Sequence, residues 1–317
     1  MNEERIEALL ERIAVALETL AGLRDDSKRP TKGLTGHSLA TELGGPSDSA
    51  PPASQSRAPL LQAFLDSKGI QIRQVPAEDS ADQVIDSLSL YLGEHYDALS
   101  GLLGKIKRAM QNGLPIMESL KNRSQQDINS ACQFCTRLHE VAFLEQYQYF
   151  RSPTYLIKAK PTTLPRAQRF FSGQWLERFL LQKIKSVRSQ LAAQVNGHLD
   201  FEYLINPEVI LPNGDDFELD ILAAIGSSIY WIEAKSGDYQ RYVEKYSRFS
   251  RVLGLDSAHS MMVLADVSDD RCDALSSLFS MTVCNLRSFE DRLLSVARRD
   301  TAHQSAAADG QSPAPED

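Results

Sequence analysis

The chain has 317 residues, 42% of them hydrophobic and 24% charged, with a formal net charge of −8 at pH 7. That length builds one large domain or two moderate ones. No run of eighteen apolar residues is present to cross a membrane, and the charged N-terminus lacks the apolar stretch of a secretory signal, so a soluble protein is expected. Cys132, Cys135, Cys272 and Cys284 are too few for a disulfide framework in so long a chain, which makes a reducing cytoplasm the expected compartment.

In chain order, Ile6, Leu10, Ile13, Leu17 and Leu20 alternate spacings of four and three, a short heptad seam over residues 1–23. Such a helix either pairs with a second copy, making a homo-oligomer, or docks on the main body. Residues 24–59 turn to Ser, Pro, Gly, Thr and Asp and read as a disordered linker. Residues 60–164 read as a mainly helical module of unassigned role, in which we find no DNA-reading motif; a protein partner for it is one reading. A helix from Leu60 ends at Gly69, and Ile70–Val75 alternates like a short strand. Asp82–Asn112 is strongly helical, with breaks expected near Gly93 and Gly101. Lys105, Lys107 and Arg108 close it, either complementing the helix dipole or meeting nucleic acid. Gln125–Gln148 reads as one more helix with an aromatic end at Tyr147, Tyr149 and Phe150, expected in the core ahead of the alternative that they stack bases. Cys132, Cys135 and His139 lie on one face of that helix; a zinc site lacks its fourth ligand nearby, and packing is the preferred reading. Tyr155–Pro161 is expected to be extended, with Lys158 and Lys160 as phosphate contacts.

From residue 165 to 299 helix and strand patterns alternate. A helix from Gly173 to about Val195 has Trp175, Leu176, Phe179, Leu180 and Ile184 to bury. A strand over Phe201–Leu211 follows, then a turn at Pro212–Asp215 and two apolar runs, Phe217–Ile225 and Ile229–Ala234, separated by Gly226-Ser227. A two-residue type II′ loop there places Asp220 opposite Glu233 and Glu218 opposite Lys235, all on one face of a hairpin. Opposed Cβ atoms lie about 4.5–5.5 Å apart, close enough for Asp220 and Glu233 to share one hard divalent cation. Lys235, two residues beyond Glu233 on that face, is placed to orient a water for attack on phosphorus beside the metal. The plain alternative is a solvated amphipathic hairpin with a weak surface ion pair.

After Gly237 a helix carries Tyr239, Tyr242, Tyr246 and Phe249 along one stripe and Arg241, Lys245 and Arg248 along another, the second suited to tracking a phosphate backbone. Met261–Ala265 reads as a buried parallel strand, followed by a helix near Asp270–Phe279, a strand at Met281–Cys284 and a last helix from Phe289 to Arg298. Residues 300–317 read as a disordered tail. Charge is unevenly spread. Residues 151–200 hold nine Lys/Arg against two Asp/Glu, whereas residues 201–250 hold four against nine. A basic flank beside an acidic hairpin suits a polyanionic substrate plus a cation, although charge runs also simply solvate helix surfaces.

Three motifs occur in order: Gly173-Gln174-Trp175-Leu176-Glu177 opening a helix, Glu218-Leu219-Asp220, and Glu233-Ala234-Lys235-Ser236-Gly237. In this order they resemble the PD-(D/E)xK nuclease superfamily, most of all the nuclease domains of CRISPR ancillary nucleases and related bacterial proteins. The resemblance covers about a third of the chain. It implies an α/β fold with a restriction-endonuclease-like αβββαβ core, preceded by the helical module and the N-terminal helix. It further implies Mg2+ or Mn2+ held by Asp220, Glu233, the Ala234 carbonyl and Glu177, with Lys235 as the catalytic lysine. The expected activity is hydrolysis of phosphodiester bonds in nucleic acid, DNA ahead of RNA, in defence or nucleic-acid processing. The alternative is a nucleic-acid-binding or scaffold protein that keeps the fold without turnover.

Overall fold

A computed structural model of the protein describes residues 58–194 and 199–309. The expected N-terminal heptad helix, almost all of the linker and residues 310–317 of the expected tail lie outside these. The described residues belong to two compact units, one holding residues 108–163 and the other residues 58–107, 164–194 and 199–309. The stretch expected as a single helical module is therefore divided, and residues 60–107 group with the C-terminal half of the chain.

The larger unit begins with α1 (Pro59–Ser67), β1 (Gln71–Gln74) and α2 (Asp82–Glu94), and α3 (Tyr96–Asn112) runs out of it. Pro59 opens α1, where its missing N–H is not needed, and Glu202 accepts from the Leu60 and Leu61 amides at 2.9 and 3.1 Å. Gly69, at φ +68, turns the chain away from the end of α1. The helix expected over 82–112 breaks at His95, two residues past Gly93, and Gly101 lies inside α3. Gly93 is required by close approach, because a Cβ there would stand 2.2 Å from the Phe179 ring.

The smaller unit comprises β2 (Ile116–Ser119), α4 (Gln125–Glu140), β3 (Leu144–Phe150) and β4 (Leu156–Pro161). Ser124 caps α4, its Oγ accepting from the Asp127 amide at 3.1 Å. The helix expected to run on to Gln148 stops at Glu140, where the chain turns through Ala142 at φ +58. Tyr147, Tyr149 and Phe150 consequently belong to a strand, in an antiparallel sheet of order β2-β4-β3, not to a helix end, and they are not core as expected: Phe150 is exposed and the two tyrosines are half-buried. Phe134, Cys135 and Leu138 of α4 are buried in this unit.

The larger unit resumes with α5 (Pro165–Arg169), a π-helical turn (Phe170–Gln174) and α6 (Trp175–Gln194). Next come β5 (Phe201–Ile205), β6 (Glu208–Ile210), β7 (Asp216–Glu218), β8 (Ile221–Ile225) and β9 (Ser228–Lys235). The described residues end with α7 (Val243–Leu253), β10 (Ser260–Leu264), α8 (Asp269–Leu278), β11 (Thr282–Cys284) and α9 (Phe289–Asp309). A five-stranded sheet of order β11-β10-β9-β8-β5 pairs β9, β10 and β11 in parallel and β8 antiparallel to both β9 and β5. A second sheet, β1-β6-β7, is antiparallel. Every residue of β8 and β10 is buried, as in a sheet covered on both faces. The protein is thus a mixed α/β protein.

The tail expected beyond Asp300 begins instead as a continuation of α9. Asp300 accepts from the Tyr230 hydroxyl and lies 3.1 Å from His259 Nε2, and Gln304 Nε2 donates to Ser228 at 3.0 Å. These contacts tie the helix to the start of β9 and the approach to β10. Among the described residues, no helix is long and apolar enough to cross a membrane.

Candidate active site

The β8–β9 hairpin has the register expected of a two-residue loop: Ile225 pairs with Ser228 and Ile221 with Ile232. Gly226 takes φ +60, the sign a type II′ turn needs at its first loop position. The ladder then stops. Asp220 lies one residue beyond it, and its backbone carbonyl accepts from the Asn206 amide at 3.0 Å, in step with the β5–β8 pair Ile205–Ile221. Backbone groups alternate along a strand, so the Ala234 N–H and C=O point to the side that β8 has vacated. Asp220 Oδ2 takes that N–H at 2.7 Å.

Lys235 Nζ lies 3.1 Å from Asp220 Oδ2 and 2.6 Å from Glu233 Oε1, so one ammonium bridges both acids. Glu233 is 1% exposed and Asp220 8%. Glu233 Oε2 is buried and makes no close hydrogen bond, although the Tyr246 hydroxyl acts on the same carboxyl, so the group keeps capacity for a ligand. Burial, then the Asp220 charge, push the Glu233 carboxyl above the ordinary carboxylate range. Burial opposes the Lys235 charge, yet the two acids hold its ammonium above the ordinary lysine range.

Glu177, in the first turn of α6, accepts from Asn206 Nδ2 at 2.9 Å. Burial first and the Asp220 charge second push its carboxyl up to about 7. Among the described residues no three His, Cys, Asp or Glu side chains are gathered closely enough to hold a metal between them. The side-chain donors brought together are therefore Asp220 and Glu233, and Glu177 adjoins them through Asn206. Glu218 departs from the expected pairing with Lys235: it sits in β7 opposite Glu208, and its Oε1 meets Asn206 Nδ2 at 3.4 Å.

Two residues here went unremarked or misassigned in the sequence. Asn206, at φ +52, binds Asp220 through its backbone and Glu177 through its side chain. An asparagine between two strand patterns suggests only a left-handed position. Tyr246 reads as part of a core stripe and is indeed buried, but Lys235 Nζ stands 5.3 Å from its ring centre. Burial and the Glu233 charge raise its hydroxyl pKa.

Arg241, Lys245 and Arg248 are exposed and line a cleft of about 720 Å3 with Phe217, Phe249 and Val252. Asp215, Asp216 and Glu244 line it too, so the cleft is not uniformly basic. Arg241 pairs with Asp238 and Arg248 with Glu244, and Lys245 Nζ lies 4.4 Å from the Phe217 ring centre. Lys158 and Lys160 belong to β4 of the smaller unit, where Lys158 is exposed and Lys160 pairs with Glu145 at 2.7 Å.

The fold and the site define a mixed α/β protein with a buried two-acid, one-amine cluster. No protein-family model matches the chain. No curated protein matches it either. Among solved structures, the crystal structure of protein VC1899 from Vibrio cholerae is similar over 75% of this chain, with a TM-score of 0.50 and 16% identity. The alignment spans 60% of that protein, and at this identity the likeness concerns the fold alone.

Proposed function

We propose that the larger unit is a PD-(D/E)xK nuclease domain with a restriction-endonuclease-like core, hydrolysing phosphodiester bonds of nucleic acid, DNA ahead of RNA, with Mg2+ or Mn2+. The chain order α6, β5, β8, β9, α7, β10 supports the αβββαβ reading. The observation that carries the function is the convergence of Asp220 and Glu233 from adjacent strands on the Lys235 amine.

The residues fit a divalent cation, because the buried Glu233 carboxylate has an oxygen, Oε2, that makes no close hydrogen bond, and the Ala234 carbonyl faces the gap at the end of the ladder. Asp220, Glu233 and that carbonyl would hold it, with Glu177 adjoining through Asn206. Such a cation supplies charge stabilisation at phosphorus and at the leaving oxygen. Lys235 donates hydrogen bonds and orients the attacking water. With its carboxyl near 7, Glu177 is able to take up a proton at neutral pH. Tyr246, behind the lysine, restricts where the amine moves.

The test compares cleavage of linear, circular and single-stranded substrates with Mg2+ or Mn2+ by wild type, Asp220→Ala and Lys235→Ala. Loss of activity in both variants is expected; equal activity in all three removes the proposal. The second reading, a binding or scaffold protein without turnover, takes its support from the ammonium already bonded to both acids. Strand binding without cleavage by the wild type is its signature.

A further inference from the structure

Lys107 lies in α3, and its Nζ donates to Ser236 Oγ at 3.3 Å. Ser236 directly follows Lys235 at the end of β9. The sequence alone leaves Lys107 open between complementing the helix dipole and meeting nucleic acid, whereas the structure sets it at this strand end. Asp266 is the carboxylate whose charge acts on it. That carboxylate accepts from the Tyr96 hydroxyl at 3.0 Å, and among the described residues no ion pair within 4.0 Å joins it to Lys107. The ammonium is half-buried, with three donors and one long bond to a neutral oxygen. Burial pulls its pKa down. An anion beside a half-buried ammonium offsets the cost of its burial.

Position supports the same chemistry. β9 and β10 are parallel and pair Lys235 with Leu264, so Lys235, Ser236, Lys107 and Asp266 all meet at the carboxyl end of the sheet. Ligands of open α/β sheets bind outside the carboxyl ends of the strands. We propose that Lys107 contacts a phosphate of the bound nucleic-acid strand, next to the one that Lys235 serves, an inference that rests on the nuclease reading above.

The experiment uses the full chain carrying Asp220→Asn, so that substrate persists, and measures binding of fluorescein-labelled single-stranded and duplex DNA and RNA from about 50 to about 200 mM salt. Lys107→Met is expected to lower the slope of log K against log salt by about 0.7 to about 0.9, one phosphate contact, and Lys107→Arg to restore it. Lys107→Gln must repeat the drop if the methionine variant melts early. Ser236→Ala, which removes only the neutral partner, is expected to keep the parent slope. An unchanged slope in Lys107→Met and Lys107→Gln overturns the inference and leaves the nuclease reading standing. So does a Ser236→Ala slope as low as theirs, because Lys107 then acts only as a tether. A parent that binds no polynucleotide overturns both.

Discussion

The Lys235 ammonium lies 2.6 Å from Glu233 Oε1 while the Glu233 side chain is only 1% exposed. The lysine is therefore the compensation for a buried negative charge as well as a candidate for chemistry. Lys235→Met removes it and leaves Glu233 and Asp220 facing one another. Taking one partner from a buried pair costs about 3–5 kcal/mol, and denaturant unfolding of this variant is expected to lose stability of that order near neutral pH. The loss should shrink in acid, because burial makes Glu233 readily protonated. Adding Glu233→Gln to Lys235→Met should recover part of it. A deficit unchanged by pH and by the second substitution would show that the pair contributes nothing special.

The same bridge bears on metal affinity. The ammonium contacts both acids on which a divalent cation would bind, so amine and cation would compete for the negative charge of Asp220 and Glu233. Lys235→Met should bind Mn2+ more tightly than wild type, roughly tenfold for about 1.4 kcal/mol of relieved competition, while losing cleavage. Titration calorimetry reads the first and the substrate assay the second. Mn2+ should also raise the melting temperature of the wild type and not that of Asp220→Asn. Equal Mn2+ affinity in wild type and Asp220→Asn removes Asp220 from the ligand set.

Glu177 should impose a pH dependence with a definite sign. Its folded pKa is pushed up from 4.5 to about 7 by burial and then by Asp220. The stability it contributes is therefore fully present below about 4.5 and is lost as pH rises through about 7. Glu177→Gln, which does not ionise, should lose less stability than wild type over that interval. The hydrogen bond from Asn206 pulls the other way, so Asn206→Ala should raise the Glu177 pKa further and shift the acid limb of any cleavage profile to higher pH. A limb that stays put in Asn206→Ala means that Glu177 ionisation does not govern the rate.

How much of this was legible in the sequence varies by element, for physical reasons. Gly226-Ser227 sets the hairpin register, and from it follow the shared face of Asp220 and Glu233 and the nearness of Lys235. The place of Asn206 beside Asp220 was not legible, because it follows from the pairing of β5 with β8. Lys107 was ambiguous for the same reason: a lysine near a helix end looks alike whether it faces water or Ser236. β3 was misread as helix although Leu144–Phe150 is rich in Tyr and Phe, residues that favour strands. The helical pattern upstream ran into it, and the break at Ala142 carries no glycine or proline. The end of α9 reads as disorder on its Ala, Gln and Ser content, yet those residues suit a helix once Asp300 and Gln304 have partners to meet.

The role of Asp300 gives the last prediction. Tyr230 is 1% exposed and its hydroxyl donates to Asp300, which also meets His259 Nε2 at 3.1 Å. Asp300→Ala leaves that hydroxyl buried without its acceptor, at a cost of about 1–3 kcal/mol. Tyr230→Phe removes the donor and should cost less. The double variant Tyr230→Phe with Asp300→Ala should then be more stable than the sum of the two losses implies, because the unsatisfied hydroxyl is gone. Chemical denaturation of the four proteins measures the coupling. Strict additivity would mean that the Tyr230–Asp300 hydrogen bond does not couple the end of α9 to the sheet.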